Sequence, residues 1–123
     1  GFYEYPEGGA KRLWSGLKDA FPPSATQPTI EELKRRFLYI QSLETARCIE
    51  EGVVMHSADA DVGSLLAWGF PSWTGGPLSL IDTTGIKDFV ARCQEMAERY
   101  GPRFAPSTWL KARSARGEAF YPA

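Results

Sequence analysis

Apolar residues recur along this chain at the three-and-four spacing of helices, and residues that start or stop helices bound each run. The strongest run predicts a helix over 30–51: Thr29 and Glu32 form a capping-box pair, Ile30 opens the apolar pattern and Gly52 follows as a stop. Within it Leu33, Phe37 and Ile40 form the stripe expected to face a core, and Leu38, Leu43, Ala46 and Ile49 widen it. Ser57 is expected to cap a shorter helix over 58–67, with Val62, Leu65 and Leu66 on its apolar face. Pro77 suits the first turn of a third helix over 77–82. Thr84 is expected to cap a fourth over 85–100, with Ile86, Phe89, Val90, Cys93, Met96 and Ala97 inward and Gly101-Pro102 ending it. Ser107 caps a fifth over 108–116, closed by Gly117. No segment reads as a convincing strand, so the fold class is all-α, a bundle of about five helices.

Two stretches break this pattern. Residues 1–28 read as an inter-domain linker arm with one short ordered piece, punctuated by Gly8-Gly9, Pro22-Pro23 and Pro28, and 29–123 as the helical domain. The arm carries Phe2, Tyr3, Tyr5, Leu13, Trp14, Leu17 and Phe21, too apolar for a free tail, and is expected to dock on its own helices or on a neighbour. Residues 68–77 alternate glycine, proline and aromatics and exclude a regular helix. Phe2, Tyr3, Tyr5, Trp14, Trp68, Phe70 and Trp73 are the candidate interface anchors, with core packing an equal alternative for the last three.

Composition narrows the function classes. The chain has 123 residues, 43% hydrophobic and 24% charged, as a single globular domain has. A formal charge of −1 gives no footprint for nucleic acid or anionic lipid. No apolar run approaches the roughly 20 residues of a membrane span. The first residues lack a basic flank, an apolar signal region and an initiator Met, so the chain is expected to begin inside a longer protein. Cys48 and Cys93 are too few for a disulfide framework and not spaced for zinc, and they fit free thiols in a reducing, cytoplasmic setting.

Candidate chemistry is thin. His56, the single histidine, precedes a helix start and reads as a surface or capping residue. Glu44 falls on the apolar stripe, where a buried acid could do acid–base work but more often pairs with an arginine or caps amides. Asp82 reads the same way, and Asp59 and Asp61 suit the first turn of their helix. Lys34-Arg35-Arg36 could meet phosphates, but Glu31 and Glu32 within reach favour a solvated face. The glycine-rich stretch 69–76 lacks the Lys-Ser/Thr and the preceding strand of a phosphate loop.

Several stretches resemble the C-terminal helical domain of the L-3-hydroxyacyl-CoA dehydrogenases. Leu43-Glu44-Thr45-Ala46-Arg47-Cys48-Ile49-Glu50-Glu51-Gly52 is similar to the helix that opens that domain, and Ala58-Asp59-Ala60-Asp61 to its helix start with spaced acids. Trp68-Gly69-Phe70-Pro71, Gly75-Gly76-Pro77-Leu78 and Leu80-Ile81-Asp82-Thr83-Thr84-Gly85 follow in family order. Each motif is weak alone, and together over 33–85 they are specific. Gly117-Glu118-Ala119-Phe120-Tyr121-Pro122 resembles the end of the multifunctional β-oxidation α subunits, and Gly1-Phe2-Tyr3-Glu4-Tyr5-Pro6 resembles the junction between their two tandem helical copies. Residues 7–30 match least.

The resemblance implies a fold like the C-terminal domain of 6-phosphogluconate dehydrogenase. It implies a parent enzyme of fatty-acid β-oxidation that oxidises 3-hydroxyacyl-CoA to 3-ketoacyl-CoA with NAD. The family's catalytic serine and histidine–glutamate pair sit in the NAD-binding domain, so no catalytic, cofactor-binding or metal residue is expected here. The first helical copy supplies an asparagine followed by an arginine; alignment on Glu44 and Gly52 puts Arg35-Arg36 at that point, without the asparagine. The chain then reads as the second, non-catalytic copy, whose partners are the first copy and the NAD-binding domain, with acyl-CoA as the parent's substrate. The alternative is a self-associating helical module that forms a homodimer. A small acid–base enzyme built on Glu44 is a weaker third reading, since no second acid converges with it.

Overall fold

The computed structural model describes residues 1–121; Pro122 of the C-terminal apolar motif lies outside them. The described chain divides into two compact units, one of residues 1–30 and one from Glu31 onward.

The first unit contains a feature the sequence reading missed. Strands β1 (Tyr3–Glu4) and β2 (Arg12–Leu13) pair antiparallel, Tyr3 opposite Leu13 and Glu4 opposite Arg12. Gly8-Gly9, read as linker punctuation, help build the hairpin's turn, where the Gly9 amide donates to the Pro6 carbonyl at 3.0 Å. The pair is short because little holds it: Arg12 meets Glu4 at 2.9 Å, and Lys11 lies 3.9 Å from the Tyr3 ring centre. A single-turn helix α1 (Leu17–Ala20) follows, and Phe2 meets Phe21 edge to face at 5.9 Å.

The second unit is helical. Its elements are α2 (Ile30–Glu50), α3 (Ser57–Ala67), α4 (Pro77–Thr84), α5 (Ile86–Tyr100) and α6 (Thr108–Arg116), with 3₁₀ turns at Ser72–Thr74 and Pro102–Phe104. All five predicted helices are present. The core gathers around α4 and α5, where Leu78, Ile81, Phe89 and Cys93 are wholly buried. Tyr39 stacks on Phe89 with ring centres 4.6 Å apart, and Leu43, Ala46, Phe104 and Leu110 close the cluster.

The caps explain the boundaries. Ser107 accepts the Leu110 amide at 3.1 Å and starts α6, and Gly117 in the left-handed region ends it. Gly85, at φ +86°, is both the stop of α4 and the start of α5, so Thr84 ends a helix rather than capping the next. His56 occupies the cap position of α3 in extended conformation, and Ser57 is its first helical residue. Ser57 instead donates its hydroxyl to the Phe120 carbonyl at 3.3 Å.

In two helices the buried face departs in part from the predicted stripe: Leu43 and Ala46 of α2 are buried as expected, but the stripe's N-terminal members are not. In α2 the buried residues are Tyr39, Ser42, Leu43, Thr45 and Ala46, while Leu33 and Phe37 are exposed. The helix carries two apolar stripes, and the one through Tyr39, Leu43 and Ala46 meets the core, where Tyr39 packs on Phe89. In α3 the inward residues are Ala60, Asp61 and Ser64, and Val62 and Leu66 face outward. Here the inward face is small and polar, which no apolar pattern reveals.

Candidate functional site

Helix α4 begins at Gly76-Pro77, and Gly76 has no side chain to accept the first free amides of the helix. Asp61, at 3% exposure, accepts them from α3 instead. One carboxylate oxygen takes the Leu78 amide at 2.7 Å, and the other takes the Ser79 amide at 3.0 Å and the Ser79 hydroxyl at 2.7 Å. Gly76 is required for this approach: its φ is +127°, and a Cβ there would overlap the Asp61 carboxylate. Asp61 lies beyond the first turn of its own helix, where Asp59 sits, contrary to the expectation for it, and serves the dipole of the following helix instead.

The same carboxylate accepts the Tyr121 hydroxyl at 2.9 Å. Burial, with the hydrogen bond to Asp61 second, pushes the Tyr121 phenol up to about 12. Asp82 completes the clamp by accepting the Phe120 amide at 3.0 Å and the Tyr121 amide at 2.8 Å. Phe120 lies buried against Trp109, ring centres 6.1 Å apart, and Arg113 donates to the Ala119 carbonyl. Two carboxylates thus fasten the C-terminal strap across α3 and α4. They work as hydrogen-bond acceptors for a fixed backbone, as expected for acids that cap amides.

The other candidates lie apart from this clamp. Glu44 is exposed and pairs with Arg47 at 2.8 Å, so it is not the buried acid of an inward stripe. His56 and Asp59 are exposed. Cys48 is half-buried, and Cys93 is sealed in the core, where burial pushes its thiol up to about 12. Lys34 pairs with Glu31 at 3.0 Å and Arg36 with Glu32 at 2.8 Å, so two of the three cations of this run are salt-bridged on the helix face. Among the described residues no three His, Cys, Asp or Glu side chains gather as metal ligands would.

A bare apolar surface is the second notable feature. Phe37 and Trp73 are 66% and 77% exposed, and with Leu38 and Pro71 they line a groove of about 360 Å³. The 3₁₀ turn Ser72–Thr74 presents Trp73 rigidly: the Thr74 hydroxyl donates to the Pro71 carbonyl at 2.7 Å and accepts the Gly76 amide at 3.1 Å. Of the other candidate anchors, Phe70 is buried, while Trp68 is exposed. Phe2, Tyr3, Tyr5 and Trp14 are exposed in the first unit. Leu33 and Phe37 were missed as surface residues because helical spacing alone does not say which of two stripes meets a core.

No protein-family model matches the chain. It is 38% identical over 92 residues, 75% of its length, to the fatty acid oxidation complex subunit alpha of Vibrio cholerae. It is 37% identical over 97 residues, 79% of its length, to the subunit of the same name from Shewanella amazonensis. The protein of that name from Vibrio vulnificus is 38% identical over 78 residues. The chain spans only 13–14% of the first two relatives, and is thus similar to one segment of a much larger subunit.

Proposed function

We propose that this chain, a homologue of one segment of the fatty acid oxidation complex α subunits, is a non-catalytic helical assembly domain of a fatty-acid β-oxidation enzyme. In this reading the parent is an L-3-hydroxyacyl-CoA dehydrogenase in the cytoplasm. Its NAD and acyl-CoA are bound and its hydride transfer carried out in other domains, and this domain holds the assembly together. The partners are the NAD-binding domain and a first helical copy, on the pattern of the tandem domains that the sequence resembles. No described helix is long and apolar enough to cross a membrane.

The observation that carries this reading is the exposed pair Phe37 and Trp73 on the groove with Leu38 and Pro71. Large aromatics held on rigid elements at the edge of an apolar groove have the make-up of a buried interface centre. A helical partner that fills the groove would remove both rings from water. The acids support the same reading from the other side, because Asp61 and Asp82 are occupied in holding α4 and the C-terminal strap.

Two measurements test it. The chain mixed with NAD and 3-hydroxybutyryl-CoA is expected to produce no NADH, and turnover above the protein-free rate would overturn the non-catalytic assignment. A first helical copy of the homologous subunits is expected to form a one-to-one complex with the chain, and Phe37→Asp to abolish it. A complex unaffected by Phe37→Asp would move the interface elsewhere. The alternative, self-association of two copies through the same groove, follows the same chemistry, since a two-fold interface pairs one patch with itself.

A further inference from the structure

The dipeptide Phe-Tyr occurs twice in this chain, at 2–3 and at 120–121, each time with a glycine at most three residues before it and a proline at most three after. The two copies have opposite surroundings. Phe120 is 6% exposed, whereas Phe2, on the arm, is 57% exposed. The Tyr121 hydroxyl is held by Asp61 at 2.9 Å, whereas Lys11 lies over the Tyr3 ring rather than against its hydroxyl.

The buried copy shows what reads this dipeptide. The Phe120 ring packs beside Trp109, its carbonyl accepts the Ser57 hydroxyl at 3.3 Å, and Asp82 accepts the amides of both residues. With the phenol on Asp61, the clamp grips two side chains and two peptide units, so it reads Phe-Tyr itself rather than a longer sequence. The strap also has a fixed place in the chain: it follows the last helix, α6, just beyond Gly117, and is fastened back on the domain it ends.

We propose that Phe2-Tyr3 is the strap of a second helical domain, one that comes before this one in the parent chain. The Phe2 ring fills a pocket there, and the Tyr3 hydroxyl donates to a buried carboxylate that caps a helix, as Tyr121 does to Asp61. The order along the chain supports this, because Phe2-Tyr3 precedes the first long helix of the present domain and so stands where the strap of a preceding one would end. A second copy of this chain is a poorer receptor: its clamp is filled by its own Phe120 and Tyr121, and a tethered segment outcompetes a free one through its effective concentration. In the arm's hairpin the Phe2 carbonyl already accepts the Trp14 amide at 3.0 Å, so this strap offers its rings and hydroxyl rather than the carbonyl that Ser57 meets in Phe120. The inference rests on the tandem pair of helical domains proposed above and names residues that fasten one to the other.

The chain's own clamp, emptied, is the assay. The chain ended after Gly117 should melt at a lower temperature or be unfolded by circular dichroism. A peptide of residues 117–121 at millimolar concentration should raise its Tm or refold it, since a ligand of the native state alone stabilises by mass action. A peptide of residues 1–9 should do the same, with an affinity within about tenfold of the first. Phe2→Ala in that peptide should weaken it about fiftyfold and Tyr3→Phe about tenfold, while Tyr5→Ala should leave it unchanged. A strap peptide that acts where the arm peptide does not, failure of both peptides, or equal losses from Phe2→Ala and Tyr5→Ala would each overturn the inference. A first helical copy of the homologous subunits should bind the arm peptide only when its own Phe-Tyr segment is removed. If that copy ignores the arm peptide yet still forms the Phe37-dependent complex, this inference fails and the proposed assembly role stands.

Discussion

Replacing Asp61 by alanine should be the most damaging polar substitution in the domain. The carboxylate accepts four donors: the Leu78 and Ser79 amides, the Ser79 hydroxyl and the Tyr121 hydroxyl. Asp61→Ala strands the Leu78 amide inside the protein, and a buried donor without a partner costs about 1–3 kcal/mol. Loss of a helix cap adds about 1 kcal/mol, and the freed Tyr121 hydroxyl about 1 kcal/mol more. Together this comes to about 3–5 kcal/mol, a large part of the roughly 5–15 kcal/mol that holds a domain of this kind folded. Urea denaturation followed by circular dichroism at 222 nm reads it directly. With a slope of about 1–1.5 kcal/mol per molar, the midpoint should fall by about 2–5 M. Asp61→Asn keeps one accepting oxygen but turns an N–H₂ toward a donor, so it should fall between wild type and alanine. Asp59→Ala, on an exposed first-turn acid, should cost less than about 1 kcal/mol. If Asp61→Ala and Asp59→Ala shift the midpoint alike, Asp61 contributes no more than an exposed helix charge and the clamp is wrong.

Further expectations follow from the same packing. The Ser42 hydroxyl is buried without a partner, so Ser42→Ala should stabilise the domain by about 1 kcal/mol and raise Tm, and a lower Tm would contradict this burial. The Tyr121 phenol rises from 10.0 to about 12 on folding, so its neutral form contributes stability that is whole below pH 10 and lost as the pH climbs through 12. Alkaline unfolding of wild type should therefore be steeper across that window than that of Tyr121→Phe, and equal profiles would argue against the Asp61 bond. The Cys93 thiol rises from 9.0 to about 12 with the same sign, and in the native state Cys48 should react with a thiol reagent while Cys93 reacts only as fast as the domain opens.

The helix ends were readable in the sequence because their signals are local. Ser107 and Gly117 bound α6 where their side-chain oxygen and backbone freedom predict, and Gly101-Pro102 stops α5. The face of α5 was equally plain, since Ile86, Phe89, Val90, Cys93 and Met96 form a single stripe. The face of α2 was not, because it offers two stripes and only the third dimension chooses between Leu33–Phe37 and Tyr39–Leu43. The clamp was half legible: Gly76-Pro77 begins a helix without a capping side chain, which signals an acceptor from elsewhere in the chain. That the acceptor is Asp61, 17 residues before Leu78 and 60 before Tyr121, depends on packing that spacing does not encode.

A partner covering Phe37 and Trp73 is what the proposed assembly role requires. Sedimentation velocity of the chain from micromolar to millimolar concentration, alone and with a first helical copy of the homologous subunits, tests it most directly. Reversible self-association of the chain is expected to give way to a one-to-one complex when the copy is added, with both lost in Phe37→Asp. A strictly monomeric chain that ignores the added copy would contradict it.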